Sequence, residues 1–312
     1  MITVLAGGVG AARFLAGLLQ VVEPHDVTAI VNVGDDTVLH GLHISPDLDT
    51  VTYTLAGQIN GETGWGLTGE TWNAMATLDR YGGPTWFGLG DRDIGTHLYR
   101  TGRLADGATL SEVTASITEA WQLALRVLPA SDDPVRTMVT VDDVDGVVRE
   151  VGFQEYFVRR HHDVPVTALR FAGAEEAAPA PGVLDAIADA GAVVIAPSNP
   201  LVSIAPVLAV PGVRAAVEAA RDRVVAVSPI VAGAALKGPA DRMLRELGHD
   251  ASVVGVARLY ASLASVLVVD EADAGEAEAV EKEGLRAVVV PTVMSTPEIA
   301  ADLARTTIGA VA

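Results

Sequence analysis

Residues 2–19 read ITVLAGGVGAARFLAGLL. An almost unbroken apolar and β-branched run over 2–6 meets the glycine cluster Gly7-Gly8-Val9-Gly10, and a helical pattern follows over 11–19. A strand that alternates apolar with polar residues is wet on one face. A run without alternation is buried on both faces, as the strands of a parallel sheet are. Strand, glycine turn and helix together make the opening unit of a sheet whose crossovers are helical.

The same rhythm returns along the chain. Further apolar runs at 27–33, 192–196, 224–227, 266–269 and 287–290 alternate with helical patterns such as 211–220 and 241–247. This alternation predicts an α/β fold, a Rossmann-like and mostly parallel sheet with helices on both faces. Ligands bind such sheets beyond the carboxyl ends of the strands, so the loops after these runs are where chemistry is expected. The middle breaks the rhythm. Residues 50–130 carry helical patterns and the tryptophans Trp65, Trp72, Trp86 and Trp121, while 137–141 and 146–151 read as a hairpin around Asp142-Asp143. The expectation is a single α/β domain over 1–312, with about 50–180 an inserted helical and hairpin elaboration forming part of the substrate cleft. AGAEEAAPAPG, 172–182, reads as a surface loop, and EADAGEAEAVEKEG, 271–284, as a solvated helix face.

The chain has 312 residues, half of them hydrophobic, enough for a sizeable core. A net charge of −19 and a pI near 4.6 exclude a nucleic-acid backbone or an anionic membrane as the main partner. There is no cysteine, hence no disulfide, thiolate metal site or cysteine nucleophile, which suits a reducing, cytoplasmic setting. No basic leader and no apolar run of about 18 residues is found, so neither a signal peptide nor a membrane span is expected.

Five strand-end loops hold the candidate site residues. Gly7, Gly8 and Gly10 let backbone approach a phosphate at a helix N-terminus. The dinucleotide pattern G-x-G-x-x-G is not met, because counting from Gly8 its last position is Arg13, which faces either an anion or solvent. The second run ends in VNVGDD, 31–36, and ISPDLDT, 44–50, follows, placing Asp35, Asp36, Asp47 and Asp49 close together. No lysine or arginine lies between Arg13 and Arg80, so the cation answering these carboxylates is not a side chain nearby in sequence. Hard oxygen donors suit Mg²⁺. A carboxylate after the second strand also imitates the ribose-binding acid of NAD dehydrogenases, but the glycine spacing and the doubled acid speak against that reading. Asp49 fits the N-cap of a helix starting near Thr50. WFGLGDRDIGTH, 86–97, offers Arg92 between Asp91 and Asp93. PSNP, 197–200, offers Ser198 and Asn199, and the glycine-rich loop after 224–227 carries Lys237, one of two lysines. The histidines form no ligand set, and no G-x-S-x-G elbow occurs.

Taken in order, GGVG, VNVGDD, SPDLDTVTYTLAG, GWGLTGETWN, LGDRDIGTH, LPASDDPVRT, FQEYFV, PSNPLVSI and VSPIVAGAALKGPAD closely resemble the 2-phospho-L-lactate transferase family of coenzyme F-420 biosynthesis, to about residue 270. AARFLAGL and WFGLGDRD resemble its actinobacterial branch, which uses a phosphoenolpyruvate-derived donor. The resemblance implies a Mg²⁺-dependent enzyme. It would join the deazaflavin Fo (7,8-didemethyl-8-hydroxy-5-deazariboflavin) to a phospho-three-carbon acid carried on guanosine diphosphate, releasing GMP. It implies Asp35 as metal ligand, Asp49 as a contact to Fo, and the glycine and PSNP loops as the phosphate site. Asp35, Asp36 and Asp49 are then the candidate catalytic residues; Gly7, Gly8, Gly10, Arg13, Asp47, Asp49, Arg92, Ser198, Asn199 and Lys237 are the candidate substrate contacts. Some archaeal members carry a basic residue where this chain has Gly88, and Arg92 is the candidate replacement. A homodimer is expected, with VTASITEAWQLALRVL, 113–128, as an apolar helix to support it. A non-catalytic, nucleotide-sugar-binding regulator of the same superfamily is the alternative. Its DDGGSSG-type loop differs from DDTVLHG here, 35–41.

Overall fold

The structure, a computed structural model, describes residues 1–143 and 145–311. Its strands are β1 (Ile2–Ala6), β2 (Val27–Val31), β3 (Thr37–Leu39), β4 (Leu42–Ile44), β5 (Arg126–Pro129), β6 (Arg136–Asp142), β7 (Val148–Gly152), β8 (Val166–Ala172), β9 (Ala192–Ile195), β10 (Val224–Val227), β11 (Ile230–Val231), β12 (Ala234–Ala235), β13 (Val266–Val269) and β14 (Arg286–Val289). Five helices matter below: α1 (Gly8–Leu18), α2 (Pro46–Leu55), α3 (Asn73–Arg80), α4 (Asp91–Ala105) and α5 (Leu110–Ala120).

Seven strands form one parallel sheet in the order β14-β13-β10-β9-β1-β2-β5. The chain builds outward from β1 through β2 to β5, then returns beside β1 with β9 and builds the other way. The reversal lies between β1 and β9, which pair from Ile2↔Ala192 to Leu5↔Ile195. Loops leaving two such strands diverge to opposite faces and open a crevice at their carboxyl ends. β2, β9, β10 and β13 are buried along their whole length, which is why they read as unbroken apolar runs.

The six strands expected from sequence are all present with ends shifted by at most two residues. The edge strand β5 is new. The stretch 113–128 is not one helix: α5 ends at Ala120, Gln122 turns the chain with a φ of 56°, and Arg126–Pro129 joins the sheet beside β2. Segment 50–180 therefore gives the sheet a strand as well as forming the elaboration. The expected hairpin is β6–β7, and β8 extends it to an antiparallel sheet of order β7-β6-β8. The 172–182 segment is a loop, but a packed one. Ala174, Ala177 and Ala180 are buried, and Asp133 accepts from Ala178 N at 2.8 Å. Within 271–284, Asp273 is buried and accepts from Ala232 N, so that stretch is not wholly a solvated face. Among the described residues no single helix is long and apolar enough to cross a membrane.

α1 packs between the sheet, α2 and the helix Pro297–Gly309. A Cβ on Gly17 would overlap the Ala300 backbone and lie 2.8 Å from its Cβ. Gly17→Val is therefore expected to lower stability by at least about 2 kcal/mol, in the upper range for overpacking. Gly102, exposed inside α4 with nothing within 4 Å of its missing Cβ, gives the opposite sign. Gly102→Ala should raise stability by ~0.5–1 kcal/mol through reduced unfolded-state freedom. Urea melts of both variants check the pair.

Candidate active site

A cavity of about 790 Å³ opens at the β1/β9 reversal, where the strand order calls for one. Its walls come from the loops after β1, β2, β9, β10 and β14, from α2, from Asp93 and His97 of α4, and from segments 63–66, 87–88 and 153–158 of the elaboration.

The β1–α1 turn is shaped by close approach. Gly8 has a φ of 70°, which L side chains rarely adopt. A Cβ on Gly7 would lie 2.7 Å from Ser203 Cβ and 2.8 Å from Asp47 Oδ2, and one on Gly10 would overlap the Pro197 carbonyl oxygen. Ser198 Oγ donates to the Gly7 carbonyl at 2.8 Å, so the two loops are tied together. The sequence reading gave Gly10 to a ligand; its missing side chain is required first by the neighbouring loop. α1 begins without a side-chain cap and without an acidic residue in its first turn. The Gly8 N–H donates to the Asp47 carboxylate, and the N–H groups that follow it keep their partial positive charge for the cavity.

Three of the four expected aspartates line this cavity: Asp35, Asp47 and Asp49. Asn32, fully buried just beyond the end of β2, links two of them. Its Nδ2 donates to Asp35 Oδ1 at 2.8 Å and to Asp47 Oδ2 at 2.9 Å, while its Oδ1 accepts from Gly34 N at 2.8 Å. Burial raises the pKa of both carboxyls, Asp35 well above its usual range, where the facing Asp47 charge adds to the effect. Two buried carboxylates sharing one amide and no cation are hard oxygen donors with uncompensated charge. That is a fit to Mg²⁺, with Asp35 and Asp47 as the residues that would hold it. Asp36 does not reach the wall. It lies behind, accepts from Ser45 Oγ at 2.7 Å, and burial pushes its pKa up to about 7. Its reading as a catalytic group facing substrate is corrected accordingly.

Asp49 is not an N-cap either. α2 starts at Pro46, with Ser45 in the cap position, and Asp49 sits one turn in. Arg100 of α4 holds it with two donors, Nη1 to Oδ2 at 3.1 Å and Nη2 to Oδ1. Arg100 Nη1 also lies 3.2 Å from His97 Nδ1. Arginine only donates, so Nδ1 accepts, and the imidazole proton sits on Nε2. That nitrogen faces Asp93 Oδ1 at 3.3 Å, and Tyr53 OH donates to the same oxygen at 2.7 Å. Burial alone would raise Asp93, but the facing His97, Tyr53 and the nearby Arg100 outweigh it and hold its carboxyl below the usual range. Sequence reasoning passed over Asn32, Arg100, His97, Tyr53 and Asp93 as site groups. The available signal was helical spacing: Asp93, His97 and Arg100 fall at i, i+4 and i+7, one face of α4.

Arg13 and Lys237 also line the cavity, and among the described residues neither has a hydrogen-bond or ion-pair partner there. In a chain of net charge −19, two unpaired cations on one cavity wall are an anion site in waiting. Lys237 Nζ comes within 3.1 Å of where a Gly64 Cβ would be, so the 232–239 and 60–66 loops meet at the mouth. Ser198 and Asn199 reach the wall, but Asn199 Oδ1 is used by Leu201 N at 2.9 Å. Arg92 is a correction: it is off the cavity, donating to the Thr68 carbonyl. Its neighbour Asp91 accepts from the N–H groups of Asn73 and Ala74 and so caps α3. Gly88 is backed by two indoles, with a Cβ there 3.3 Å from Trp65 and 3.4 Å from Trp72. Trp65, Phe87, Phe153 and Phe157 supply an apolar wall, the last two stacked at 5.5 Å; Trp86 and Trp121 lie elsewhere.

Arg100→Met would leave the Asp49 carboxylate buried without its partner, a loss of about 3–5 kcal/mol. Adding Asp49→Asn should recover much of it, since the two sites share one interaction. A denaturant double-mutant cycle measures this. A single-variant loss under about 1 kcal/mol would place the pair with exposed ion pairs instead.

The family model described as 2-phospho-L-lactate transferase CofD matches residues 2–303. A protein of Kitasatospora aureofaciens named phosphoenolpyruvate transferase is 49% identical over 308 residues, covering 98% of this chain and 96% of that one. A Mycolicibacterium smegmatis protein of the same name is 43% identical over 315 residues, covering 97% and 96%. Among solved structures, a Bacillus halodurans protein superposes with a TM-score of 0.65 at 18% identity, covering 98% of both chains. A second structure of it, described as a member of the UPF0052 family, gives 0.62 at 17%, also covering 98% of both chains. At that identity the likeness speaks for the fold. The motif order, the family match across nearly the whole chain and the curated relatives agree: the chain belongs to the 2-phospho-L-lactate transferase CofD family.

Proposed function

We propose that this protein is a phosphoenolpyruvate/2-phospho-L-lactate transferase that joins Fo to a phospho-three-carbon acid carried on guanosine diphosphate. GMP would be released and coenzyme F-420-0, or its dehydro form, produced. The observation that carries this reading is the arrangement of one cavity. Unpaired cations and free helix N–H groups stand at the sheet end, an aromatic wall stands at the elaboration, and carboxylates lie between them. A diphosphate suits the first region and a deazaflavin ring the second. The relatives' name favours the enolpyruvoyl donor over the lactyl one.

The chemistry asks for positioning and charge neutralisation rather than a covalent nucleophile. The primary hydroxyl of the acceptor attacks the phosphorus that bears the three-carbon group, and GMP leaves in line. Two of the four wall serines have other partners: Ser198 Oγ donates to the Gly7 carbonyl and Ser228 Oγ to the Ile230 carbonyl. In this reading the α1 N–H groups, Arg13 and Lys237 bind and orient the diphosphate. Asp35 and Asp47 would hold Mg²⁺, which when bound would supply charge neutralisation to the diphosphate. Asp49, fixed by Arg100, offers a charge-balanced contact to the acceptor. Asp36 steadies the start of α2 through Ser45.

Two experiments test the proposal. Fo given an equal mixture of the lactyl and enolpyruvoyl donors should yield the dehydro product by mass spectrometry. A product two hydrogens heavier would overturn the donor assignment, and no product from either would overturn the transfer itself. Asp35→Asn should weaken Mn²⁺ binding, followed by electron paramagnetic resonance, by roughly tenfold or more, the range seen for altered ligand shells. Its turnover should recover in part at high Mg²⁺ while Fo affinity stays at the parent value. Unchanged Mn²⁺ affinity would remove Asp35 from the metal site.

A further inference from the structure

The transfer proposed above must also dispose of the acceptor hydroxyl's proton; resting on that reading, we propose that Asp93 is the general base that takes it, held in place by His97 and Tyr53. Four carboxylates line the cavity among the described residues: Asp35, Asp47, Asp49 and Asp93. Asp35 and Asp47 share the Asn32 amide and, with their pKa values raised by burial, depend on a cation to stay ionised. Asp49 has both oxygens on Arg100. Asp93 differs from all three. Its Oδ1 takes Tyr53 OH and faces His97 Nε2, whereas its Oδ2 accepts no hydrogen bond among the described residues and belongs to a side chain on the cavity wall.

Placement supports the assignment. Ligand atoms of Asp49, Asp93 and His97 all lie within 4.8 Å of one another, so a hydroxyl held against Asp49 is within reach of Asp93. The charged and titratable groups around Asp93 are Tyr53 and Asp49 from α2, His97 and Arg100 from α4, and Glu70, which accepts from the Asp93 N–H at 2.9 Å. Together they keep the Asp93 carboxyl below its usual range and therefore ionised, ready to accept. A weak base suffices when the transition state is loose and the proton moves late. The step balances. The acceptor oxygen forms its bond to phosphorus and gives its proton to Asp93 Oδ2; the phosphorus–oxygen bond to GMP breaks with its electron pair on GMP. Solvent then takes the proton from Asp93 as product leaves.

The test uses the full-length protein with Fo, the enolpyruvoyl donor and saturating Mg²⁺. Asp93→Asn keeps size and an acceptor for Tyr53, so its thermal melt and calorimetric affinities for Fo and donor should match the parent. Its kcat should fall by roughly 10²–10³, the usual worth of a positioned base. That residual rate should climb with pH, because hydroxide must now do the work. Should the asparagine variant fail to fold, Asp93→Ala carries the test through rescue: added formate should restore turnover in that variant and leave the parent unchanged. Asp93→Asn with kcat within about threefold of an active parent would overturn the base and leave the transfer reading standing. So would a folded Asp93→Ala indifferent to formate. A parent silent with Fo and both donors would sink the transfer reading and the base with it.

Discussion

The parallel pairing of β1 with β9 is the constraint on which the rest of this protein turns. It puts the glycine turn after β1 and the PSNP loop after β9 side by side, so closely that position 10 has no room for a side chain beneath the Pro197 carbonyl. Ser198 then bonds across to Gly7, and Gly7 in turn gives space to Ser203 and Asp47. A glycine pattern that resembles a dinucleotide fingerprint is thus first a packing solution. The N–H groups of α1 beyond Gly8 stay free because the turn itself carries no side chain to cap them.

Charge is the second constraint. An acidic chain that brings carboxylates to one buried mouth must answer each of them, and it does so in three ways. Asp49 is matched by a buried guanidinium with two donors. Asp36 sits behind the wall with a serine hydroxyl on one oxygen and a pKa near neutrality. Asp35 and Asp47 share one amide, and Asp47 adds the Gly8 N–H; these orient the pair without cancelling its charge. Of these four, the last pair is the one that calls for charge from outside, and its oxygen donors suit a hard cation. Four acids that look equivalent along the sequence are therefore not equivalent in space.

Much of the fold was legible because buried parallel strands leave a mark that survives without an alignment: runs such as Val224–Val227 and Val266–Val269, entirely apolar and entirely buried. β5 was not legible. Its RVLP continues the apolar character of the preceding helix, and the break depends on Gln122 adopting a positive φ. In the site, residues next to strand ends were readable: the glycines, the aspartates after β2, and Lys237. Residues supplied by tertiary approach were not. Arg100 meets Asp49 across 51 positions of sequence, and Asn32 reads as an ordinary strand-end residue until Asp47 folds back onto it. Arg92 shows the converse error. Its neighbours suggested a clamped cation, but those acids serve other elements: Asp91 caps α3, and Asp93 faces Tyr53 and His97.

The two halves of the cavity answer to different parts of the chain, and this bears on how specificity is distributed. The sheet end is built from turns that the fold itself requires, and a Bacillus halodurans protein only 18% identical keeps that fold across 98% of both chains. Changes there disturb packing before they alter recognition, as Gly7 and Gly10 show. The aromatic wall belongs to the elaboration, where Trp65 and Trp72 lean on Gly88 and Phe153 stacks on Phe157 without touching the register of the main sheet. Trp65, 45% exposed, can therefore change at less cost to folding than Phe153, which is buried in the main core.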